Sequence, residues 1–190
     1  MGTRGAFGFR VDNQDKISYN HSDSYPSGLG SDVASFIRKW CAIHTLDELR
    51  EKVRVIRLVD EDDTPTSEDI KKLSAYTDLG VGSQSVEDWY CLFREAQGKP
   101  EVYIECGMMP SAQSFLTDSL FCEWAYIINL DTEMFEVYQG FQHSVHDKGR
   151  YAQLGCSSDG YQPVALIREY PLDDIIDMDT LELELVEEDV

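Results

Sequence analysis

Hydrophobic and polar residues alternate in two segments close to the start of the chain. Residues 4–11 and 16–21 follow the period of two that is typical of a β-strand, and residues 12–15 between them favour a turn. The pattern therefore predicts an N-terminal β-hairpin. A loop over 22–30 then leads into a predicted first helix, where apolar residues recur at helical spacing: Val33, Phe36, Ile37, Trp40 and Cys41.

Helical patterns dominate the next part of the chain, up to residue 100. Thr45 and Glu48 have the spacing of a capping box, so they predict the start of a second helix. Thr66 or Ser67 caps a predicted third helix. A fourth helix is predicted to begin at Ser85 and to contain three large apolar residues: Trp89, Leu92 and Phe93.

Strand-like patterns return after residue 100. Residues 101–106 predict a strand, and residues 122–130 and 134–138 predict a second antiparallel hairpin. A long polar loop over 142–162 precedes a last buried strand at 163–169. Strands followed by helices and then by strands is an α+β order. We therefore predict an antiparallel sheet built from the N-terminal hairpin, the later hairpin and the C-terminal strand, with about four helices packed on one side.

The length and composition indicate one folded domain. The chain has 190 residues, of which 42% are hydrophobic, and we expect a single α+β domain over 1–170 followed by an acidic tail over 171–190. In the tail, Leu181, Leu183 and Leu185 alternate with glutamates, as in an edge strand or a disordered interaction segment. No apolar run approaches the ~20 residues that span a bilayer, and the five cysteines are scattered. We expect a cytoplasmic protein without disulfides and without a membrane partner.

Acidic residues outnumber basic ones increasingly towards the C-terminus. The net charge is −20 and half of it falls in the last forty residues, whereas the first fifty carry six basic and six acidic side chains. Such a surface repels nucleic acid and anionic membranes and attracts basic proteins. The first functional hypothesis is therefore a non-enzymatic acidic binding protein with a basic protein partner, such as a nucleic-acid mimic or an inhibitor of a host or phage protein.

The densest group of reactive side chains lies at residues 19–30, between the predicted hairpin and the first helix. His21, Asp23 and Tyr25 are two residues apart, so they would share one face if the second strand continued through them. On that face they could act as general base, orienting carboxylate and oxyanion donor. The alternative is structural: Asp23 caps the loop, His21 bonds to a backbone carbonyl, and Tyr25 packs on the sheet.

Three neighbours extend this candidate site. Arg4 would either pair with Asp23 or bind an anionic ligand, and Tyr19 and Asn20 are candidate ligand-binding residues. The second functional hypothesis is therefore a small hydrolase or a ligand-binding domain that uses the three catalytic candidates together with Arg4.

Patterns for metals and cofactors are incomplete. His143, His146 and Asp147 lie together in the predicted polar loop, but His-x-x-His alone lacks the third and fourth ligands of a metal site. The glycines Gly80 and Gly82 are not followed by the lysine of a phosphate-binding loop. We therefore expect neither a metal nor a cofactor.

The start of the chain resembles a protein family found in phages, bacteria and fungi. The likeness rests on Thr3-Arg4-Gly5 and on the pattern Tyr-x-His-x-Asp-x-Tyr-Pro-x-Gly, which begins at Tyr19, and it covers about the first thirty residues. The family brings no established activity, so the resemblance implies that the segment from His21 to Tyr25 matters without naming a reaction. Many members carry a bulky residue between the histidine and the aspartate, where this chain has Ser22.

Overall fold

A computed structural model describes residues 2–175 of the chain. The leucine–glutamate alternation at Leu181, Leu183 and Leu185 lies outside the described residues. Within them, seven strands and five α-helices follow one another: β1 (Gly5–Val11), β2 (Gln14–Asn20), α1 (Ser31–Cys41), α2 (Leu46–Arg54), β3 (Arg57–Val59), α3 (Ser67–Leu73), α4 (Trp89–Leu92), α5 (Pro100–Cys106), β4 (Met108–Pro110), β5 (Trp124–Asn129), β6 (Met134–Gln139) and β7 (Ala165–Pro171). No helix in this part of the chain has the length and apolar character needed to cross a membrane.

Five strands form the main sheet in the order β2-β1-β5-β6-β7. Both predicted hairpins are present, as β1–β2 and β5–β6, and the C-terminal strand β7 pairs antiparallel with β6. The α+β class is thereby confirmed. The central pairing differs from the expectation, because β1 and β5 run parallel. All five helices lie in the connection between β2 and β5, and a crossover of this kind lets a later strand enter the sheet parallel to an earlier one.

One face of the sheet packs under the helices, as predicted. Alternate strand residues point to this side: Phe7, Phe9, Val11, Tyr126, Ile128, Phe135 and Val137. All five helices add side chains to the same core, among them Val33, Leu49, Leu73, Leu92 and Val102. Burial of such a side chain contributes about 1.5–3 kcal/mol, so this face supplies the main stabilisation of the fold.

The opposite face of the sheet is covered by irregular chain instead of helices. Its smaller core contains Ala6, Ile17, Leu116, Ala125, Ile127, Tyr138, Tyr151 and Val164. Two short 3-10 turns, Gln113–Thr117 and Arg150–Gln153, provide part of this cover. The second turn lies within the segment that the sequence predicted as a long polar loop.

A buried polar network, the Arg150 cluster, ties this cover to the sheet. Its members are Asp15, Asn129, Glu136, Tyr138, Arg150 and Tyr151. The Arg150 guanidinium donates to the carboxylates of Glu136 at 2.5 Å and Asp15 at 3.1 Å. It also donates to the phenol oxygens of Tyr138 at 3.0 Å and Tyr151 at 2.9 Å. The asparagine amide donates to the other oxygen of Glu136 at 2.6 Å, so a carboxylate that is only 2% exposed is compensated within the protein.

Two helices begin at predicted caps, the capping box at Thr45 and the cap at Thr66, and the structure shows a capping box at both. At α2, Thr45 Oγ1 accepts the Glu48 N–H at 3.2 Å, and the Glu48 carboxylate accepts the Thr45 N–H at 2.7 Å. At α3, Thr66 and Asp69 make the same reciprocal pair. These local sequence signals therefore determine where both helices start.

Two details of the helical half differ from the sequence predictions. The cap of α4 is Asp88, whose carboxylate accepts a backbone N–H of the first turn, and not Ser85. The strand predicted at 101–106 is wrong, because this segment is the helix α5. Pro100 occupies a favoured position in its first turn, and Gly107 ends it at a φ of 67°.

A second, two-stranded sheet stands beside the end of β2. Its strands β3 and β4 are parallel, so their carboxyl ends, at Val59 and Pro110, lie at the same edge. The Ala112 N–H donates to the Ile17 carbonyl at 2.9 Å and holds the chain after β4 against β2. The edge of the small sheet thereby comes close to the candidate residues at the end of β2.

The last described strand approaches the predicted end of the domain. β7 runs to Pro171, and the buried Leu172 donates its N–H to the Glu133 carbonyl at 2.9 Å. The packed structure therefore includes residue 172. The acidic tail predicted over 171–190 stays a prediction beyond residue 175.

Candidate functional site

The loop after β2 is anchored at Ser24. The Ser24 N–H donates to the Thr3 carbonyl at 3.1 Å, and the Ser24 carbonyl accepts from Tyr126 Oη at 3.0 Å. The Asn20 amide donates to the Ser22 carbonyl at 2.5 Å and to Ser24 Oγ at 2.9 Å. The amide of Asn20, a predicted ligand-binding residue, is therefore used to hold the loop in shape.

The loop reverses its direction at Asp23. This residue has a φ of 55°, and its carbonyl accepts the Leu29 N–H at 2.9 Å. A Cβ at Gly28 would lie 2.2 Å from the same carbonyl oxygen, so the close approach requires glycine. Strand β2 ends at Asn20, so the condition under which the three catalytic candidates would share one strand face is not met.

A cavity of about 600 Å³ opens beside the end of β2. Six of its lining residues have aromatic rings: Tyr19, His21, Trp89, Tyr90, Phe93 and Phe115. The carboxyl edge of the β3–β4 sheet and the 3-10 turn at Gln113–Thr117 form other parts of the wall. Tyr19 and Phe115 meet edge to face, with their ring centroids 5.1 Å apart. The cavity therefore offers a ligand flat apolar surfaces together with a few polar groups.

His21 meets two phenols in this cavity instead of a carboxylate. Its Nδ1 lies 2.9 Å from the hydroxyl of Tyr19 and 3.5 Å from that of Tyr90. The backbone N–H of His21 donates to Gln97 Oε1 at 3.1 Å, and this bond attaches the loop to the chain after α4. We call His21, Tyr19, Tyr90 and Gln97, with the nearby Arg4 and Arg94, the His21 cluster.

Partial burial and two positive charges favour the neutral form of His21. Burial lowers the pKa of His21 below its ordinary value of 6.5, and the charges of Arg94 and Arg4 lower this pKa further. Burial also raises the pKa of the Tyr19 phenol, which therefore stays protonated at pH 7. The neutral groups of the cluster supply hydrogen-bond donors and acceptors, and its charge comes from the two arginines.

Neither arginine of the cluster is neutralised by an acidic partner. Arg4 lies over the ring of Phe121, with its guanidinium carbon 4.6 Å from the ring centroid. Arg94 lies over Tyr90 at 5.9 Å and donates to Gln97 Oε1 at 3.2 Å. Among residues 2–175, no carboxylate comes within 4.0 Å of either guanidinium, although the following arginines are paired in this way: Arg10, Arg50, Arg54, Arg57 and Arg150.

Two acidic side chains also line the cavity. They are Glu61 and Asp118. Asp118 Oδ1 is buried and has no hydrogen-bond partner among the described residues. Leaving such an oxygen unpaired costs about 1–3 kcal/mol, so this part of the wall is less stable than a fully bonded one.

The structure brings together half of the predicted site residues. His21 and Tyr19 line the cavity, and Arg4, which lies over Phe121 outside the lining, lowers the pKa of both through its charge. Asp23 and Tyr25 are not among the lining residues, and Tyr25 is 47% exposed. Within the described part of the chain, the Asp23 side chain makes no hydrogen bond or ion pair, so the predicted Arg4–Asp23 pair is wrong.

Several residues of the cluster escaped the sequence analysis. Tyr90, Arg94 and Gln97 lie about seventy residues after His21, and only the tertiary fold brings them together. Trp89 was predicted as an apolar residue of the fourth helix; it belongs to the core there and also lines the cavity. The available signal was the four-residue spacing of Tyr90 and Arg94, which places an aromatic ring and a cation on neighbouring turns of a helix.

The histidines of the predicted polar loop have other contacts. The ring of His143 packs against Tyr161, and His146 Nε2 lies 2.9 Å from the Pro163 carbonyl. Among residues 2–175, no group of three or more histidine, cysteine, aspartate or glutamate side chains is arranged to hold a metal ion.

Comparisons of the chain with protein-family models, with curated proteins and with solved structures find no match. The resemblance of the first thirty residues to a phage, bacterial and fungal family therefore stays an expectation.

Proposed function

We propose that the protein is a ligand-binding domain that takes a small organic molecule into the cavity beside His21. The observation that carries this proposal is that the imidazole of His21 and the phenols of Tyr19 and Tyr90 meet at a cavity with aromatic walls. Cavities of roughly 300–1,000 Å³ with apolar walls and a few polar groups are typical of small-molecule sites. A cavity of about 600 Å³ fits a ligand of the size of a substituted ring compound.

The contacts of His21 favour binding over hydrolysis. A general-base histidine is commonly oriented by a carboxylate and hydrogen-bonded to a nucleophile. Here Nδ1 meets the phenols of Tyr19 and Tyr90, and within residues 2–175 no serine, threonine or cysteine side chain bonds to the imidazole. The hydrolase that uses His21, Asp23 and Tyr25 remains the alternative, and turnover by the protein would support it.

Fragment screening by NMR tests the ligand-binding proposal. We expect ring compounds to shift the amide signals of Tyr19, His21, Trp89 and Phe115 in a saturable manner. A second cavity of about 530 Å³, lined by α1 and the start of α5, provides an internal comparison. The proposal would be overturned if the fragments bound there equally well or left the His21 cavity unchanged.

A blocking substitution and a matched control strengthen this test. Ser114 is exposed at the cavity wall, so Ser114→Trp should fill part of the cavity and abolish the shifts. Ser74 is an exposed serine at the end of α3 and away from the cavity lining, so Ser74→Trp should leave them intact. Equal binding by both variants would contradict the proposed location.

A second candidate function is supported by the charge of the chain. We propose that the acidic surface binds a basic protein partner in the cytosol. The net charge is −20, and the exposed segment 60–63 alone presents four carboxylates. A captured partner should be released by about 0.5 M salt and by competing duplex DNA, because both screen or replace the acidic surface. A lack of any salt-sensitive partner would contradict this function.

A further inference from the structure

The charged side chains that line the cavity beside His21 are acidic. They are Glu61 and Asp118, and no lysine or arginine of the described residues is part of the lining. The arginines of the His21 cluster lie outside the lining, and His21 itself is favoured in its neutral form. The cavity therefore carries negative charge, which attracts a cation and repels an anion.

Neither of these carboxylates is neutralised by the protein. Within residues 2–175, the side chains of Glu61 and Asp118 make no hydrogen bond and no ion pair. Asp118 is half-buried and its Oδ1 is shielded from solvent without a partner, whereas Glu61 is exposed. Because an unpaired carboxylate that is partly removed from water interacts more strongly with a cation than one in solution, Asp118 is the stronger cation-binding group of the two.

Each carboxylate belongs to a segment that carries or contacts an aromatic ring of the wall. The Asp118 N–H donates to the Phe115 carbonyl at 3.1 Å, so this carboxylate and the Phe115 ring are placed by one turn of the chain. Two residues after Glu61, the Asp63 carbonyl accepts the indole N–H of Trp89 at 2.8 Å. The faces of aromatic rings are negative and attract a cation within about 6 Å of the ring centroid. Carboxylates and aromatic rings around one cavity are the groups that bind an ammonium ion.

Resting on the proposed function, we infer that the ligand is a ring compound with a protonated amine, whose ammonium group is bound by Asp118 and Glu61. The ammonium N–H groups donate to the carboxylate oxygens, and the ring packs against the aromatic wall of the cavity, where Trp89 and Phe115 lie.

The positive charge of Arg94 gives this ligand one orientation. Arg94 donates to Gln97 Oε1 at 3.2 Å, and the same oxygen accepts the backbone N–H of His21 at 3.1 Å. The guanidinium charge therefore lies at the His21 end of the cavity, where it repels an ammonium group. The ammonium is thereby directed to the carboxylates, and the uncharged part of the ligand to His21.

Three probes of similar size test the inference: benzylamine, benzyl alcohol and benzoate. Benzylamine is protonated at neutral pH, as a lysine amine is, and we expect it to bind about tenfold more tightly than benzyl alcohol in an NMR titration, with benzoate the weakest of the three. Equal affinity for all three probes, or tightest binding of benzoate, would overturn the inference and leave the proposed function intact. No binding of any ring compound in the cavity would overturn both.

Carboxylate variants locate the ammonium group. Asp118→Asn should weaken benzylamine roughly fivefold and Glu61→Gln roughly twofold, because the exposed Glu61 is screened by water, and neither should change the affinity for benzyl alcohol. Asp62→Asn is the matched control, because Asp62 is the exposed neighbour of Glu61, lies outside the cavity lining and carries the same charge. An equal loss in all three variants would show a general charge effect and overturn the inference. The order of the three probes in the unaltered protein tests it independently of how well the variants fold.

Discussion

The Arg150 cluster and the His21 cluster use the same kinds of side chain in opposite ways. Both contain arginine and two tyrosines. Arg150 is neutralised by Glu136 and Asp15, and its network borders only a small cavity of about 160 Å³. Arg4 and Arg94 have no acidic partner among the described residues, and the other members of their cluster line a cavity of about 600 Å³. A polar group that is satisfied by the protein stabilises the fold, whereas one left unsatisfied next to open space is available to a ligand.

The largest effect should come from breaking the Arg150 cluster. Arg150→Met would leave the Glu136 carboxylate, whose side chain is 3% exposed, without its cation. Removal of one partner of a buried pair costs about 3–5 kcal/mol, so we expect a loss of this size in the free energy of unfolding. Urea denaturation followed by circular dichroism measures it. Arg38→Met is the exposed control, and a loss below about 1 kcal/mol in Arg150→Met would contradict the structural role.

A second substitution sharpens that result. Adding Glu136→Gln to Arg150→Met removes the uncompensated charge, while Asn129 and Tyr138 remain to hydrogen-bond the amide. The double variant should therefore recover part of the lost stability, about 1–2 kcal/mol. A double variant less stable than Arg150→Met alone would show that the isolated carboxylate is not the source of the loss.

His21→Ala should have the opposite effect to Arg150→Met: it should weaken ligand binding and leave the stability of the fold nearly unchanged. His21 is exposed on its outer side and contributes its contacts to a cavity, so we expect the free energy of unfolding to change by less than about 1 kcal/mol. Binding of a ring compound in the cavity should weaken about tenfold, because a hydrogen-bonding group and the packing of the imidazole ring are lost. Calorimetric titration and urea denaturation of the same sample measure both quantities. A large loss of stability with unchanged binding would show that the His21 cluster, like the Arg150 cluster, stabilises the fold and does not bind a ligand.

The two tyrosines at either end of the predicted site allow a finer comparison. Tyr19 places its hydroxyl 2.9 Å from His21 Nδ1, whereas Tyr25 is 47% exposed and outside the cavity lining. Tyr19→Phe should weaken ligand binding about threefold to tenfold, and Tyr25→Phe should leave it unchanged. The catalytic role predicted for Tyr25 would gain support if the two variants lost binding or turnover equally.

Local patterns and long-range pairings differ in how well the sequence predicts them. The hairpins, the capping box at Thr45 and the helix cap at Thr66 depend on residues close together in the chain, and they form as predicted. The helix α5 was read as a strand because its Val-Tyr-Ile run favours strands, although Pro100 and Gly107 are helix boundary signals. The parallel pairing of β1 and β5 depends on the whole helical connection between them, which no local pattern describes.

The candidate site also has parts that local sequence predicts and parts that depend on the tertiary fold. The many polar side chains within residues 19–30 identified the segment that contains His21 and Tyr19. Arg4 was identified because basic residues are few in this acidic chain. The predicted loop over 22–30 is present, but the turn that Asp23 and Gly28 give it, which directs Asp23 and Tyr25 away from His21, depends on backbone geometry that the sequence pattern does not specify. The partners on the other side of the cavity, Tyr90 and Arg94, come from a part of the chain whose apolar spacing indicated only a core.

The smallest effect concerns the pH dependence of stability. Because the pKa of His21 in the folded protein lies below its ordinary value of 6.5, the unfolded chain binds more protons between these two values. Stability contributed by the neutral imidazole is therefore present above pH 6.5 and is lost as the pH falls through that window. NMR titration should place the His21 midpoint below 6.5, and Arg94→Gln should raise it, whereas Arg38→Gln should not. An unchanged midpoint in Arg94→Gln would mean that this arginine does not act on His21. The proposed difference between Arg94, which has no acidic partner among the described residues, and the neutralised Arg150 would then have no measurable effect on the imidazole.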